Sequence, residues 1–220
     1  MRPLHEERAD ELLSLYKFLI TLYIPEEALK IPPAEGWPEE TIRAHFNPDE
    51  KDEAVIKVLK HIPFLQGLDR DIFQFWENCV CNDFSGPRTG WTEPLEKMMD
   101  GCGWPILETG RGRYLATIGM SSGRNGFWVF CDVRSREMIV VDFQVGWTAV
   151  DDSPSEFISG VKEDFRRLDV FPDSHMDVRF LHKYDAAEME RVRKLFGKHG
   201  WPTENYRKEE CLAELARSDL

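Results

Sequence analysis

Residues 113–145 read RYLATIGMSSGRNGFWVFCDVRSREMIVVDFQV, and how this stretch is divided decides the fold class. Three runs, Arg113 to Gly119, Phe127 to Val133 and Met138 to Val145, are rich in β-branched and aromatic side chains, which suit a pleated, half-buried surface. Ser122-Gly123-Arg124-Asn125-Gly126 and Arg134-Ser135-Arg136-Glu137 separate them. Asn-Gly and short polar loops are hairpin chemistry, so the stretch is expected to form an antiparallel meander. Trp147 to Val150 adds a short fourth strand.

Downstream the period becomes helical. Ser153-Pro154-Ser155-Glu156 is a capping box with proline at the first helical position, and Phe157, Val161, Phe165 and Leu168 follow on one face. Asp185-Ala186-Ala187-Glu188 opens another helix, which carries Met189, Val192 and Phe196 and stops at Gly200. A last helix from Tyr206 to about Arg217 places Cys211, Leu212 and Leu215 inward. His175 and His182 flank an extended segment, Met176 to Leu181.

Upstream, Leu12, Leu15, Tyr16, Leu19, Ile20 and Tyr23 share one helical face. Pro25, Pro32 and Pro33 end that helix, because proline lacks an amide donor and restricts its predecessor. Residues 31–37 then read as a linker between an amphipathic helical segment (1–31) and a larger unit (38–220) with a C-terminal helical extension. Pro38 starts a short helix through His45, and Asn47-Pro48-Asp49-Glu50 opens one through about His61. Asp69 is expected to cap a buried helix bearing Ile72, Phe73, Phe75, Trp76, Cys79 and Val80, and Thr92 to Asp100 forms another closed by Gly101. Helices, a sheet and more helices without βαβ alternation give an α+β fold: a central antiparallel sheet of four or more strands packed by helices from both chain ends. Gly-Trp-Pro recurs at 36–38, 103–105 and 200–202 at unequal separations, so it is a local device, glycine ending an element with tryptophan packed back on the core, and not a repeat.

The 220 residues carry 40 acidic and 28 basic side chains, a net charge of −12 that disfavours nucleic acid and anionic lipid as partners. Through residue 110 there are 21 acidic and 11 basic residues, against 19 and 17 afterwards, so the N-terminal half can steer a basic partner, beside the plainer reading of helix caps and solvated faces. Five scattered cysteines, Cys79, Cys81, Cys102, Cys131 and Cys211, are expected as reduced thiols of a cytoplasmic protein, the nucleus being the alternative compartment. The apolar stretch Leu12 to Ile24 follows Glu6, Glu7, Asp10 and Glu11, the wrong charge for a secretory leader, and is too short to span a bilayer.

Gly119-Met120-Ser121-Ser122-Gly123 matches the nucleophile-elbow pattern, but an elbow needs parallel strands before the serine and a helix after it. Gly110-Arg111-Gly112-Arg113 lacks the P-loop lysine and reads as a turn entering a strand. Cys79 and Cys81, placed on a helix, point to different sides. No catalytic, cofactor or metal set emerges. Trp91, Trp104 and Trp147, in or beside loops, are candidate interface anchors together with Asp83 and Phe84, beside the plainer reading that large apolar residues pack inside.

Residues 55–170 resemble the SUKH superfamily, the domain of fungal cell-wall-synthesis regulators and bacterial toxin-immunity proteins. The likeness is carried by Ile62-Pro63 with Asp71-Ile72-Phe73-Gln74-Phe75-Trp76, by Asn82-Asp83-Phe84-Ser85-Gly86, by Ile118-Gly119 with Phe127 to Asp132 and Met138 to Phe143, and by Ser153 to Phe165. The segment Phe196 to Glu210 is similar to that of fungal members. The family's Asn-Gly is split here into Asn82 and Gly86. The resemblance implies a non-enzymatic protein-binding scaffold with a curved sheet flanked by helices; together with the charge asymmetry and the loop aromatics it leads to the expectation of an intracellular module that binds another protein through the acidic helical half or the loops from Asn82 to Trp91. The rival expectation is a small enzyme or ligand-binding protein with a pocket between sheet and helices, of which a Ser121 hydrolase is the weakest version.

Overall fold

The computed structural model describes residues 2–45, 51–68, 72–84, 110–122, 126–142, 147–151 (backbone), 153–218 and 220. The meander expected at 113–150 forms the last four strands of a larger antiparallel sheet in the order β3-β4-β5-β6-β7-β8, extended on one side by β3 and β4. Its strands are β3 (Gln74–Trp76), β4 (Cys79–Cys81), β5 (Leu115–Ser121), β6 (Phe127–Asp132), β7 (Met138–Asp142) and β8 (Trp147–Asp151). Cys131 stands opposite Met138 across the polar turn Arg134 to Glu137, and Asp142 stands opposite Trp147.

Both faces of the sheet are covered. Val129, Cys131, Met138 and Val140 are buried on one side, and Trp128, Phe130, Ile139 and Val141 on the other. Two-sided burial explains why these strands read as continuous apolar runs where a half-solvated strand would alternate. On the first side lie α1 (Leu4–Leu22) and a later helix, Pro154–Arg167; Leu12 and Ile158 from these helices meet Ile118 and Met138.

Short helices α2 (Glu39–Arg43) and α3 (Glu53–His61) precede the sheet. Asp52, whose carboxylate accepts from the Ala54 amide, caps α3, so the helix starts later than Asn47 to Glu50 suggest; those four residues lie outside the described ones. β1 (Leu29–Lys30) pairs with β2 (Phe64–Leu65), and the Trp37 amide donates to the Lys60 carbonyl at 2.8 Å. Side chains of α1 and of the sheet belong to one buried core.

After the sheet come α4 (Pro154–Arg167), the hairpin β9 (Val170–Pro172) and β10 (Val178–Phe180), α5 (Ala186–Lys198) and α6 (Lys208–Leu215). At Ser153 the serine half of the expected box forms, its hydroxyl accepting from the Glu156 amide, and at Asp185 the full reciprocal box is present. Two of the three Gly-Trp-Pro sites are described: Gly36 and Gly200 take φ of 84° and 92°, and the Trp37 and Trp201 indoles donate to the carbonyls of Ile62 and Phe165; Gly200 follows α5 as the expected device requires, whereas Gly36 ends a turn. The third site, 103–105, and the helix expected at Thr92 to Asp100 with Gly101 lie outside the described residues.

One expectation is overturned. The helix expected from Asp69 through Val80 is the hairpin β3–β4, turning at Glu77-Asn78 with Asn78 at φ 48°. Aromatic and β-branched residues in a short apolar run fit either period, and asparagine tolerates the left-handed region that a two-residue turn needs. The buried Gln74 and Glu77 side chains accept from the Val178 and Phe180 amides of the β9–β10 segment. Asp69 itself lies outside the described residues. The correction also places Cys79 and Cys81 on one face of a strand, where a helix would have separated them.

Candidate functional site

The sequence-derived interface residues do not gather at one described surface. The Asp83 carboxylate accepts from Gln66 Nε2 at 3.1 Å, inside the protein's own hydrogen bonding. Phe84 is 1% exposed, its ring edge-on to His45 with centroids 5.1 Å apart, and such a side chain is core. Trp147 opens β8, and Trp91 and Trp104 lie outside the described residues.

The catalytic motifs likewise resolve into structure. Ser121 is the last residue of β5 and pairs with Cys79 in an antiparallel ladder, without the parallel strands an elbow requires. Cys81 donates to the Tyr16 hydroxyl at 3.2 Å, and burial pushes its thiol up to about 11; burial does the same for Cys131. Thiols held this high stay protonated and are poor nucleophiles at neutral pH. Among the described residues no three His, Cys, Asp or Glu side chains are placed to hold a metal ion, and no helix is long and apolar enough to cross a membrane.

What the fold does assemble is a groove at the C-terminal end of α1. The last carbonyls of a helix lack intrahelical donors and carry the negative end of its dipole. Here they are satisfied from the far end of the chain: Lys208 Nζ donates to the carbonyls of Ile20 and Ile24 at 2.9 and 2.8 Å, and the Tyr206 hydroxyl to that of Leu22 at 3.1 Å. This fastens the start of α6 beside the Pro25 turn. Between them opens a groove of about 710 Å³ whose floor includes the side chains of Ile20, Tyr23, Leu68, Phe73, Met176 and Leu212. Glu26, Glu27 and Glu209 stand along it. Burial pulls the Lys208 ammonium below its ordinary value, while the same three glutamates act to raise it. Lys208 is thus consumed in capping α1, which leaves the groove's acidic side in excess. Ile72, next in the chain to Phe73, is 66% exposed.

None of these groove residues was singled out as a site from the sequence. The local signal was the pair Glu26-Glu27 directly behind a helix-stopping proline, but the groove draws on four separate stretches of chain. In comparisons with known proteins, the chain matches no family model, no curated protein and no solved structure.

Proposed function

We propose that the protein is a non-enzymatic intracellular interaction module of SUKH type, and that it takes a basic segment of a partner protein, anchored by an apolar side chain, into the groove at the end of α1. The observation that carries the reading is the pairing of an apolar floor with Glu26, Glu27 and Glu209 in a protein of net charge −12. Such a surface draws cations by long-range attraction, and affinity then comes from burying the anchor. The motif resemblance over residues 55–170 supports the same class of function, and the binding surface here is the groove in place of the loop tryptophans.

Selection from a displayed library of random peptides tests this. Sequences that pair Lys or Arg with Leu, Phe or Trp should be enriched, with binding that weakens as salt rises and is lost in the charge-reversed double variant Glu26→Lys, Glu27→Lys. Enrichment of acidic sequences, or the same enrichment by wild type and variant, overturns the proposal.

A further inference from the structure

A second surface has the opposite chemistry. Beyond the left-handed Gly110 (φ 67°), a turn of 3₁₀ helix, Arg111–Tyr114, leads into β5 and lies beside the β6–β7 turn. Together they line a cleft of about 680 Å³ that holds Arg111, Arg113, Tyr114, Asp132, Arg134 and Ser135. Three arginines here do two different things. Arg111 is spent internally, with its Nε 2.6 Å from the buried Asp132 carboxylate and a terminal nitrogen 2.6 Å from Glu137. Arg113 and Arg134 are exposed, and among the described residues neither guanidinium has a carboxylate or hydrogen-bond acceptor. Both instead lie against the Tyr114 ring, 5.2 and 4.4 Å from its centroid.

The backbone under these two arginines is pinned. The Arg113 carbonyl accepts from the Asp52 amide at 3.0 Å, and the Tyr114 carbonyl from the Val133 amide at 2.9 Å. Asp132 Oδ1 accepts from the Arg134 amide at 2.8 Å and from that of Ser135, which sets the turn. The attraction of a cation to a ring face gathers both guanidinium groups at Tyr114. In a protein of net charge −12, two neighbouring cations that have no counter-charge among the described residues form a local exception that a ligand can complete.

We infer that this cleft is a binding site for a phosphate monoester, gripped between Arg113 and Arg134 beside Tyr114. A carboxylate carries one charge and two oxygens, which a single guanidinium fork satisfies. A phosphate monoester brings close to two charges and three terminal oxygens, matching two forks. The site is separate from the groove at the end of α1 and does not depend on that proposal.

Calorimetric titration of the full chain with phenyl phosphate, benzoate, and a phosphoserine peptide with its unphosphorylated twin tests it. Phenyl phosphate should bind roughly tenfold more tightly than benzoate, and its affinity should fall as pH drops through about 6, where the phosphate loses its second charge. Arg113→Gln and Arg134→Gln should each weaken binding by roughly tenfold, with Arg113→Lys in between, because it keeps the charge and loses the fork. Arg166→Gln is the control: Arg166 also lies over a ring, that of Phe18 at 5.0 Å, but is paired with Glu163, and its loss should leave binding unchanged. The peptide arm identifies the source: preference for the phosphopeptide over phenyl phosphate marks a modified protein, and the reverse marks a small phosphorylated molecule. Thermal midpoints of the variants confirm folding. No binding of either phosphate, or binding indifferent to Arg113 and Arg134, overturns the inference.

Discussion

Replacing Gly119 by alanine separates a packing glycine from a catalytic-turn glycine. A Cβ built there lies 2.5 and 2.6 Å from two ring carbons of Phe75 and 2.7 Å from Cys79 Sγ. Both neighbours are fully buried, and β3 and β4, which carry them, are hydrogen-bonded into the sheet, so neither retreats cheaply. Forcing a methyl into such a contact costs about 1–3 kcal/mol, while the lost freedom of the unfolded chain returns about 0.4–1 kcal/mol. With two rigid neighbours the balance should be a loss of about 2 kcal/mol. At a urea slope of about 2 kcal/mol per M, the midpoint falls by about 1 M. Trimming the ring should relieve the clash, so Gly119→Ala in a Phe75→Leu background should cost at least 1 kcal/mol less than alone, about twice the scatter expected of independent sites. An unchanged midpoint for the single variant, or strict additivity in the double, refutes the reasoning, because a glycine kept only for a turn around Ser121 has no business with Phe75.

Glu77 is 2% exposed, with its carboxylate taking Lys183 Nζ at 2.5 Å and the Phe180 amide at 3.2 Å; Glu77→Ala should cost about 2–4 kcal/mol in urea unfolding, and Glu77→Gln less, since its amide oxygen keeps the Phe180 bond. Asp185→Ala removes the reciprocal cap of α5 and should cost about 1 kcal/mol by the same measurement. Burial pushes the Asp132 carboxyl up, but the Arg111 guanidinium and the amides of Arg134 and Ser135 outweigh it and hold the group below its ordinary value. Because the folded value is the lower one, this contribution is complete above the unfolded pKa of about 3.9 and is lost as pH falls through the folded value. Thermal midpoints followed down from about pH 5 should therefore drop more steeply for wild type than for Asp132→Asn.

The meander was legible because each turn lies next to the strands it joins: Arg134 to Glu137 fixes the β6–β7 register within a few residues of chain. The caps at Ser153 and Asp185 were legible for the same reason, since a cap is a bond to the third residue onward. The β3–β4 hairpin was not, because Phe73, Phe75, Trp76 and Cys79 satisfy two periods at once. What breaks the tie is Gln74 and Glu77, and their partners stand about a hundred residues away. Phe84 was read as surface from its polar loop, and only the packing of His45 shows it to be interior. The groove and the arginine cleft are assembled wholly from such long-range meetings, so the candidate sites were the least legible part of the molecule. The GRGR stretch gave a partial signal: it does enter a strand, yet its cations matter through Tyr114 and Arg134, not through the glycine turn.

The same distant contacts explain how the sheet ends and why the groove has a fixed floor. Among the described residues β3 is an edge strand, and an open edge invites pairing with other chains. The β9–β10 hairpin meets this edge through side chains, without adding a rung to the ladder. The Gln74 carboxamide oxygen accepts from the amides of Asn78 and Val178 at 2.8 and 3.1 Å, and its nitrogen donates to Asp177 at 2.7 Å. The Tyr23 hydroxyl, at the end of α1, donates to the Gln74 carbonyl. One buried glutamine therefore joins the edge hairpin, the β9–β10 hairpin and the first helix. Three floor residues of the groove are its immediate associates: Tyr23 bonds to it, Phe73 precedes it, and Met176 precedes its partner Asp177. A fully satisfied buried polar network holds one arrangement against its alternatives. The groove's shape thus follows from how the sheet edge is closed, and a surface preorganised in this way binds with less ordering cost than loops would.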